Sequence, residues 1–491
     1  MPDDCAAGRN EPSFQLPRWE TVTSDSRKIQ TTMKALNLIL AAILITLIRP
    51  LAAAAGDPVA APAPPHMTAD GFSFAAGGDL LGFYHPVTAV ADAELKKISE
   101  LMRQSDAGYA NREGNVFDLA TFKGAPGAET GGFEQMGVGG GPLASASTAP
   151  DMKLFGLNLL SLANNHALDW GTDGMFATQQ VLDEAGMVHA GTGSGRAQAR
   201  APAFLDTRRG RVALVSTAST FLPAFVAGPG KGDRGPRPGL SALRNSPVTL
   251  VSAAEFATLK TIAERQGLAI KPNDRELTLD PNSAPFINQV FRISDHAGMD
   301  YVVNEEDRHE ILDSIHTGKR SAGLAAFSIH AHETATGGQE HLVDPASLKP
   351  AAFLQPLFHE AVDAGADIVL TTGPHTLRGI EIYKGRPIFY GLGSLFFAIK
   401  IPGFNWPPEW YESVLAVSRF AGGQVSEVRL YPLVLRQEGQ VAERSMIGSP
   451  RLARGAEARR ILGYLQQQSA PYGTHIDIVG DVGLIKVAPM R

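Results

Sequence analysis

Five short segments carry side chains able to hold a cation: Asp79, the run Asn111-Arg112-Glu113, the pair Asn165-His166, His330 with His332 and Glu333, and His375. Each is a weak signal alone, because one histidine at a strand end is more often a hydrogen-bonded polar residue than a ligand. Recurrence at successive strand ends is the stronger signal, and it points to one shared site. Oxygen and imidazole donors without sulfur suit Mn²⁺, Fe or Zn²⁺ better than Mg²⁺, which fits only where imidazoles are few. One or two divalent ions are expected. The only cysteine, Cys5, excludes a thiolate site and a disulfide framework.

The elements that must position these groups are apolar runs that stop at them. Phe72-Ser73-Phe74-Ala75-Ala76 starts a strand leading into Gly77-Gly78-Asp79. Asn158 to Ala163 is a buried-strand candidate ending at Asn164-Asn165-His166, and a helix follows from about Gly174 to Ala185, stopped by Gly186. Val212 to Ser216 and Leu324 to Ile329 read as further buried strands. Helices are expected at about Ala253–Arg265, Asp307–Ile315 and Phe353–Asp363, and strands at Asp367–Leu370 and Ile388–Tyr390. Strands alternating with helices predict an α/β fold, in which ligands gather at the carboxyl ends of strands. The stretch Gly124 to Gly141 is too glycine-dense to be anything but loop.

The chain of 491 residues is 19% charged with a net charge of −6, which excludes a disordered tail and a basic nucleic-acid-binding module. Nucleic acid is therefore not an expected partner. Gly77-Gly78-Asp79-Leu80-Leu81-Gly82 lacks the Gly-Lys-Ser/Thr ending of a phosphate loop, and no Gly-x-Ser-x-Gly elbow occurs. Trp406 and Trp410 flank Pro407-Pro408, an aromatic loop that reads equally as a pocket wall or as packing. At the other end, the apolar run Ala35 to Ile48 is shorter than the roughly 20 residues that span a bilayer. Lys34 precedes it and Ala52-Ala53-Ala54-Ala55-Gly56 follows, the pattern of a secretory signal peptide. Met33 then looks like the true start, with residues 1–56 comprising an over-extended start and the signal peptide. The expected location is periplasmic or extracellular. An N-terminal membrane anchor is the second reading, to which Arg49 adds weight.

Four segments together carry a family resemblance: Gly78-Asp79-Leu80, ANNHALDWGTDG from Ala163 to Gly174, SIHAHE from Ser328 to Glu333, and the block from Asp363 to Phe397 containing GPHTLRGIEIY and PIFYGLGS. The chain resembles the CapA family of poly-γ-glutamate capsule synthesis proteins, whose core is similar to calcineurin-like metallophosphoesterases. The resemblance implies a four-layer α/β/β/α sandwich over about 72–435, after a Pro/Ala linker at 57–71, with an insertion at about 223–322 and a helical and strand extension at 436–491. It implies metal-dependent hydrolysis or transfer in the synthesis, release or anchoring of an extracellular polymer, with a cell-envelope substrate and a membrane polymer-synthesis complex as partners. A non-catalytic polymer- or envelope-binding scaffold on the same fold is the alternative.

Carried onto matching residues, the resemblance makes Asp79, Glu113, Asn165, His330 and His375 metal ligands and His166 the proton donor to a leaving oxygen. A histidine just outside a metal shell suits general acid work, with Asp169 either orienting it or serving as a helix N-terminal carboxylate. Asn111, His332, Glu333, Thr372 and Glu381 are candidates for supporting the ligands or touching substrate. His332 and Glu333 read equally as surface groups, and Glu381 reads also as a strand-edge charge. The sequence departs from the related pattern at Leu81 and Thr372, where calcineurin-like enzymes have histidines; that puts a second metal in question.

Overall fold

The computed structural model describes residues 68–82, 92–124, 141–273, 275–279, 289–336, 349–399, 405–440 and 446–487. The leader, the Met33 start, the linker up to residue 67 and nearly all of the Gly124–Gly141 stretch lie outside these residues. Among the described residues no helix is long and apolar enough to cross a membrane.

Three βαβ units open the chain. Strands Phe72–Leu81 (β1), Ala107–Arg112 (β2), Leu159–Ser161 (β3) and Val188–Ala190 (β4) lie parallel in that order. Helices Ala93–Arg103 (α1), Thr148–Phe155 (α2) and Gly171–Glu184 (α3) connect them. β1 is buried at every position, as a strand covered on both faces must be. Asp92 caps α1 by accepting from the Leu95 amide at 2.8 Å. A second sheet holds Ala203–Thr207 (β5) and Gly210–Ala218 (β6).

Residues 245–303 then leave the core as a subdomain. Its strands are Asn245–Val251 (β7), Ile270–Pro272 (β8), Glu276–Leu279 (β9), Gln289–Ile293 (β10) and Gly298–Val303 (β11), ordered β8-β9-β10-β7-β11. Helix Ala253–Gln266 (α4) packs on this sheet through Phe256, near Val251 and Leu277. The insertion expected at 223–322 is thus narrower as an independent sheet. Helix Glu305–Arg320 (α5) belongs to the core, because Ile311 and Ile315 bury against Val215, Phe327 and Ile329.

The second sheet is completed by Leu324–His330 (β12), helix Leu354–Asp363 (α6), Ile368–Thr372 (β13), Ile380–Tyr383 (β14) and Arg386–Phe389 (β15). Its order is β14-β15-β13-β12-β6-β5. Ser394–Phe397 (β16) returns to pair with β1. A long hairpin of Glu412–Ala421 (β17) and Gln424–Leu435 (β18) follows, then Pro450–Leu452 (β19), helix Gly455–Ser469 (α7), Asp477–Val479 (β20) and Val482–Lys486 (β21). They extend the first sheet to ten strands, ordered β20-β21-β18-β17-β1-β2-β3-β4, with β16 beside β1 and β19 beside β18.

Four layers result, as the resemblance implied. Leu95, Ile98, Met102, Met152, Phe155 and Leu182 cover the outer face of the first sheet. Phe72, Phe74, Leu159, Leu214, Ala326 and Leu370 fill the space between sheets. Leu354, Leu357 and Phe358 of α6 join α5 over the outer face of the second. The inter-sheet layer turns polar toward one end: the Tyr109 hydroxyl lies 2.5 Å from Ser328 Oγ, and Ser161 Oγ lies 2.7 Å from Ser216 Oγ. Two residues further along β2 and β12 stand Asn111 and His330, so this hydroxyl seam is the floor of the candidate site.

Candidate metal centre

Register brings the strand ends together. Asp79 lies opposite Asn111 on one side and Ser394 on the other, while His330 lies between Thr372 and Ala218. Gly78 permits the closest approach, since a Cβ there would sit 1.6 Å from the Gly393 carbonyl oxygen. The β1–β2 pairing also shifts between Ala76 and Asp79, which re-aims the strand end. Across the gap, Gly373 takes φ 99 and donates its amide to Asp79 Oδ2 at 3.0 Å. Asn111 Nδ2 donates to Asp79 Oδ1 at 2.8 Å. Asp79 is thereby fixed from both sheets.

His330 stands at the centre, fully buried. Its Nδ1 faces Asn111 Nδ2 at 3.2 Å and Thr372 Oγ1 at 3.3 Å. Its Nε2 lies 2.9 Å from Asn165 Oδ1, 3.0 Å from His332 Nε2 and 3.8 Å from Glu113 Oε1. Loss of water pushes its pKa down to about 3; Asp79 pulls the other way, while His375 and His166 add to the fall. It is therefore a neutral imidazole, the form that ligates metals.

That crowding tests whether a cation fits. Two imidazole nitrogens, an amide oxygen and a carboxylate oxygen direct lone pairs into one small volume. A divalent ion could take all four as ligands, the oxygen and imidazole mixture that Mn²⁺, Fe or Zn²⁺ accept. Two sets of ligand atoms lie within 4.8 Å of one another: Glu113, His330 and His332, and Asp79, Glu113 and His375. Glu113 belongs to both.

The His375 ring sits between Phe397 at 5.2 Å and Trp410 at 4.5 Å, with its Nδ1 3.1 Å from Ser394 Oγ and 3.6 Å from Asp79 Oδ2. Trp406 stacks on Trp410 at 4.7 Å. The aromatic loop thus packs directly behind a candidate ligand. His166 directs Nδ1 at Asp169 Oδ2, 2.6 Å away, and its Nε2 lies 3.8 Å from Glu113 Oε1. Asp169 shares a 2.6 Å contact with the His166 imidazole and also stands two residues before α3, so it is placed for both of the roles considered for it.

Other expectations change. His332 and Glu333 are buried, not surface groups. His332 shares one ligand set, and Glu333 accepts from Ser219 Oγ at 2.8 Å and Asn245 Nδ2 at 3.0 Å. Glu381 points elsewhere: it accepts from Tyr390 at 2.8 Å and pairs with His359 at 2.8 Å, on the α6 side of β14. Leu81, at the position where calcineurin-like enzymes have a histidine, packs with Phe397, Trp410 and Leu435. Sequence reasoning passed over Asn164, whose Nδ2 donates to the Arg112 carbonyl at 2.8 Å and whose Oδ1 accepts the His166 amide at 3.1 Å. Its place beside Asn165-His166 was the available clue.

A four-layer α/β/β/α sandwich whose strand ends gather carboxylates, imidazoles and a carboxamide defines a metallophosphoesterase-like protein. Residues 75–398 match the family described as "Bacterial capsule synthesis protein PGA_cap", and the chain belongs to that family. It is 35% identical over 463 residues to the uncharacterized protein y4sH of Sinorhizobium fredii (strain NBRC 101917 / NGR234), spanning 85% of this chain and 94% of the relative. It is 24% identical over 254 residues to the capsule biosynthesis protein CapA of Bacillus anthracis, spanning 52% of this chain and 43% of that protein. A shorter match, 33% identical over 91 residues, covers 18% of this chain and 21% of the PGA biosynthesis protein CapA of Bacillus subtilis (strain 168). This family membership supports a role in capsule or polymer synthesis.

Proposed function

We propose that this protein is exported and acts by metal-dependent hydrolysis or transfer at a phosphate or acyl centre of an extracellular polymer, of the poly-γ-glutamate type named in its relatives. The observation that carries this reading is the pair of ligand sets sharing Glu113, with the His166–Asp169 pair at their edge. Asp79, Glu113, Asn165, His330, His332 and His375 would hold one or two divalent ions. Once bound, such ions supply Lewis-acid stabilisation of charge developing on oxygen. The chain's own residues do the rest. Asp169 accepts a hydrogen bond from His166 Nδ1–H and so leaves Nε2 to exchange a proton with a leaving oxygen or an attacking water. Gly373 and Asn111 keep Asp79 aimed, while Phe397 and Trp410 pack behind His375.

Purified protein is expected to carry stoichiometric Mn, Fe or Zn, and His166→Ala to abolish turnover while leaving the metal bound. Unchanged metal content after replacing both His330 and His375 by alanine would defeat the reading. Amino-terminal sequencing of secreted material checks export, with cleavage expected near Ala55. A second reading, a polymer-binding scaffold, is favoured by Leu81 packing into an apolar cluster and by Thr372 offering only a hydroxyl. It predicts at most one ion per chain and no turnover. Elemental analysis beside a phosphate-ester screen separates the two.

A further inference from the structure

We infer that Asn245 and Glu333 form a latch through which the 245–303 subdomain sets the position of His332, an inference that rests on the cation reading above. The two chain crossings between core and subdomain run side by side: Asn245 pairs with Val303, and the Asn304 amide donates to the Arg244 carbonyl at 2.8 Å. Asp307 at the start of α5 clamps this crossing, accepting from Arg244 Nε at 2.6 Å and from Arg200 Nη2 at 2.5 Å. The subdomain therefore meets the core on a short, charge-fixed stalk.

The first side chain beyond that clamp is Asn245. Its Nδ2 donates to Glu333 Oε1 at 3.0 Å and to the Ser219 carbonyl at 3.3 Å. Glu333 follows His332 directly, and its other oxygen accepts from Ser219 Oγ. The His332 amide donates to Thr220 Oγ1 at 2.9 Å, so the turn after β6 and the stalk grip the same pair of residues, His332 and Glu333. Tyr301 of β11 rests edge-on against Phe353 of the core at 5.6 Å, a second contact on the same side. A buried carboxylate held by neutral donors is a spacer of fixed length: if the stalk shifts, Glu333 loses the Asn245 donor, which water cannot replace, and the peptide bearing His332 shifts with it. His332 then leaves the set it shares with Glu113 and His330. Asn245 and Glu333 are positioning residues, acting through hydrogen bonds and not through charge on the ion.

The test compares Asn245→Ala, Glu333→Ala and Glu333→Gln in the full chain. Zn²⁺ affinity is read by chelator competition, and amide exchange of the metal-free proteins over 245–303 and 331–336 is read in parallel. Asn245→Ala and Glu333→Ala are expected to weaken Zn²⁺ about tenfold, the scale seen for groups that orient ligands. Both segments should exchange faster together. Glu333→Gln, which keeps an acceptor for Asn245 and meets the Ser219 hydroxyl with its amide, should restore wild-type affinity. A glutamine variant as weak as the alanine variant would make Glu333 a ligand and overturn the latch, as would unchanged affinity and exchange in Asn245→Ala. Should the wild-type chain bind no Zn²⁺, the cation reading fails by itself. The exchange data then decide the latch alone: coupled acceleration upholds it and independent exchange refutes it.

Discussion

The His330 imidazole is neutral because the fold takes its water away, and this has a consequence in acid. Its folded pKa of about 3 lies below the ordinary value of 6.5, so the unfolded chain takes up the proton first as pH falls. The stability tied to this residue is complete above about 6.5 and drains away toward 3. Metal-free protein should therefore lose thermal stability between pH 6.5 and 5, and His330→Gln should flatten that slope in a calorimetric pH series; identical slopes would refute the assignment. Glu333 does not mimic the effect, because burial raises its pKa and acidification relieves rather than adds to its penalty. Most of the site was legible residue by residue, since Asp79, His330 and His375 are polar groups ending apolar runs. His332 was read as a supporting or surface group and not as a ligand, because β12 ends at His330 and the turn that follows, which brings the His332 ring beside it, leaves no periodic signal. Glu381 failed for the converse reason, being on a regular strand whose side chain meets α6.

At the level of elements, the glycines of the Gly77-Gly78-Asp79 and Gly391-Leu392-Gly393-Ser394 segments matter as a pair. Gly78→Ala forces a methyl group into the Gly393 carbonyl, backbone against backbone, where nothing can rotate away. The expected cost is about 3 kcal/mol, read from urea unfolding, with weaker metal binding because Asp79 moves with β1. A loss below about 0.5 kcal/mol, the range of neutral surface changes, would show that the strands are not so tightly apposed. β1, β3, β6, β12, β13 and β15 were readable because buried parallel strands are unbroken apolar runs, and α3 to α6 through their apolar faces and stops, whereas β2, β4, α1 and α2 were not assigned. The β17–β18 hairpin was not read. β17 is buried on most positions of both faces, so its alternation is masked. Gly422 and Gly423, both at positive φ between the paired Ala421 and Gln424, were the turn signal that would have revealed it.

For the whole molecule, the stalk clamp couples subdomain and core energetically. Asp307 and Arg200 are both buried, and burial works against the Asp307 charge until the bonds from Arg244 and Arg200 pull its pKa below the usual carboxylate value. Asp307→Ala leaves the Arg200 guanidinium with Glu310 and the Ala242 carbonyl but without its buried counter-charge, and a loss of about 3–5 kcal/mol in denaturant unfolding is expected. The subdomain itself was legible only as a region of unassigned purpose. Its strands are half-exposed and its sheet order follows from pairings that no local pattern encodes.

The donors of the centre are scattered along most of the chain: the amide of Gly373 that steadies Asp79 lies 294 positions after it. No partly synthesised chain ending before β13 holds the complete set, and long-range closures of this kind come late in folding. Ion capture must follow the joining of the two sheets. On the cation reading proposed above, the supply available where folding finishes would select the ion, and changing that supply during maturation should change the ion recovered.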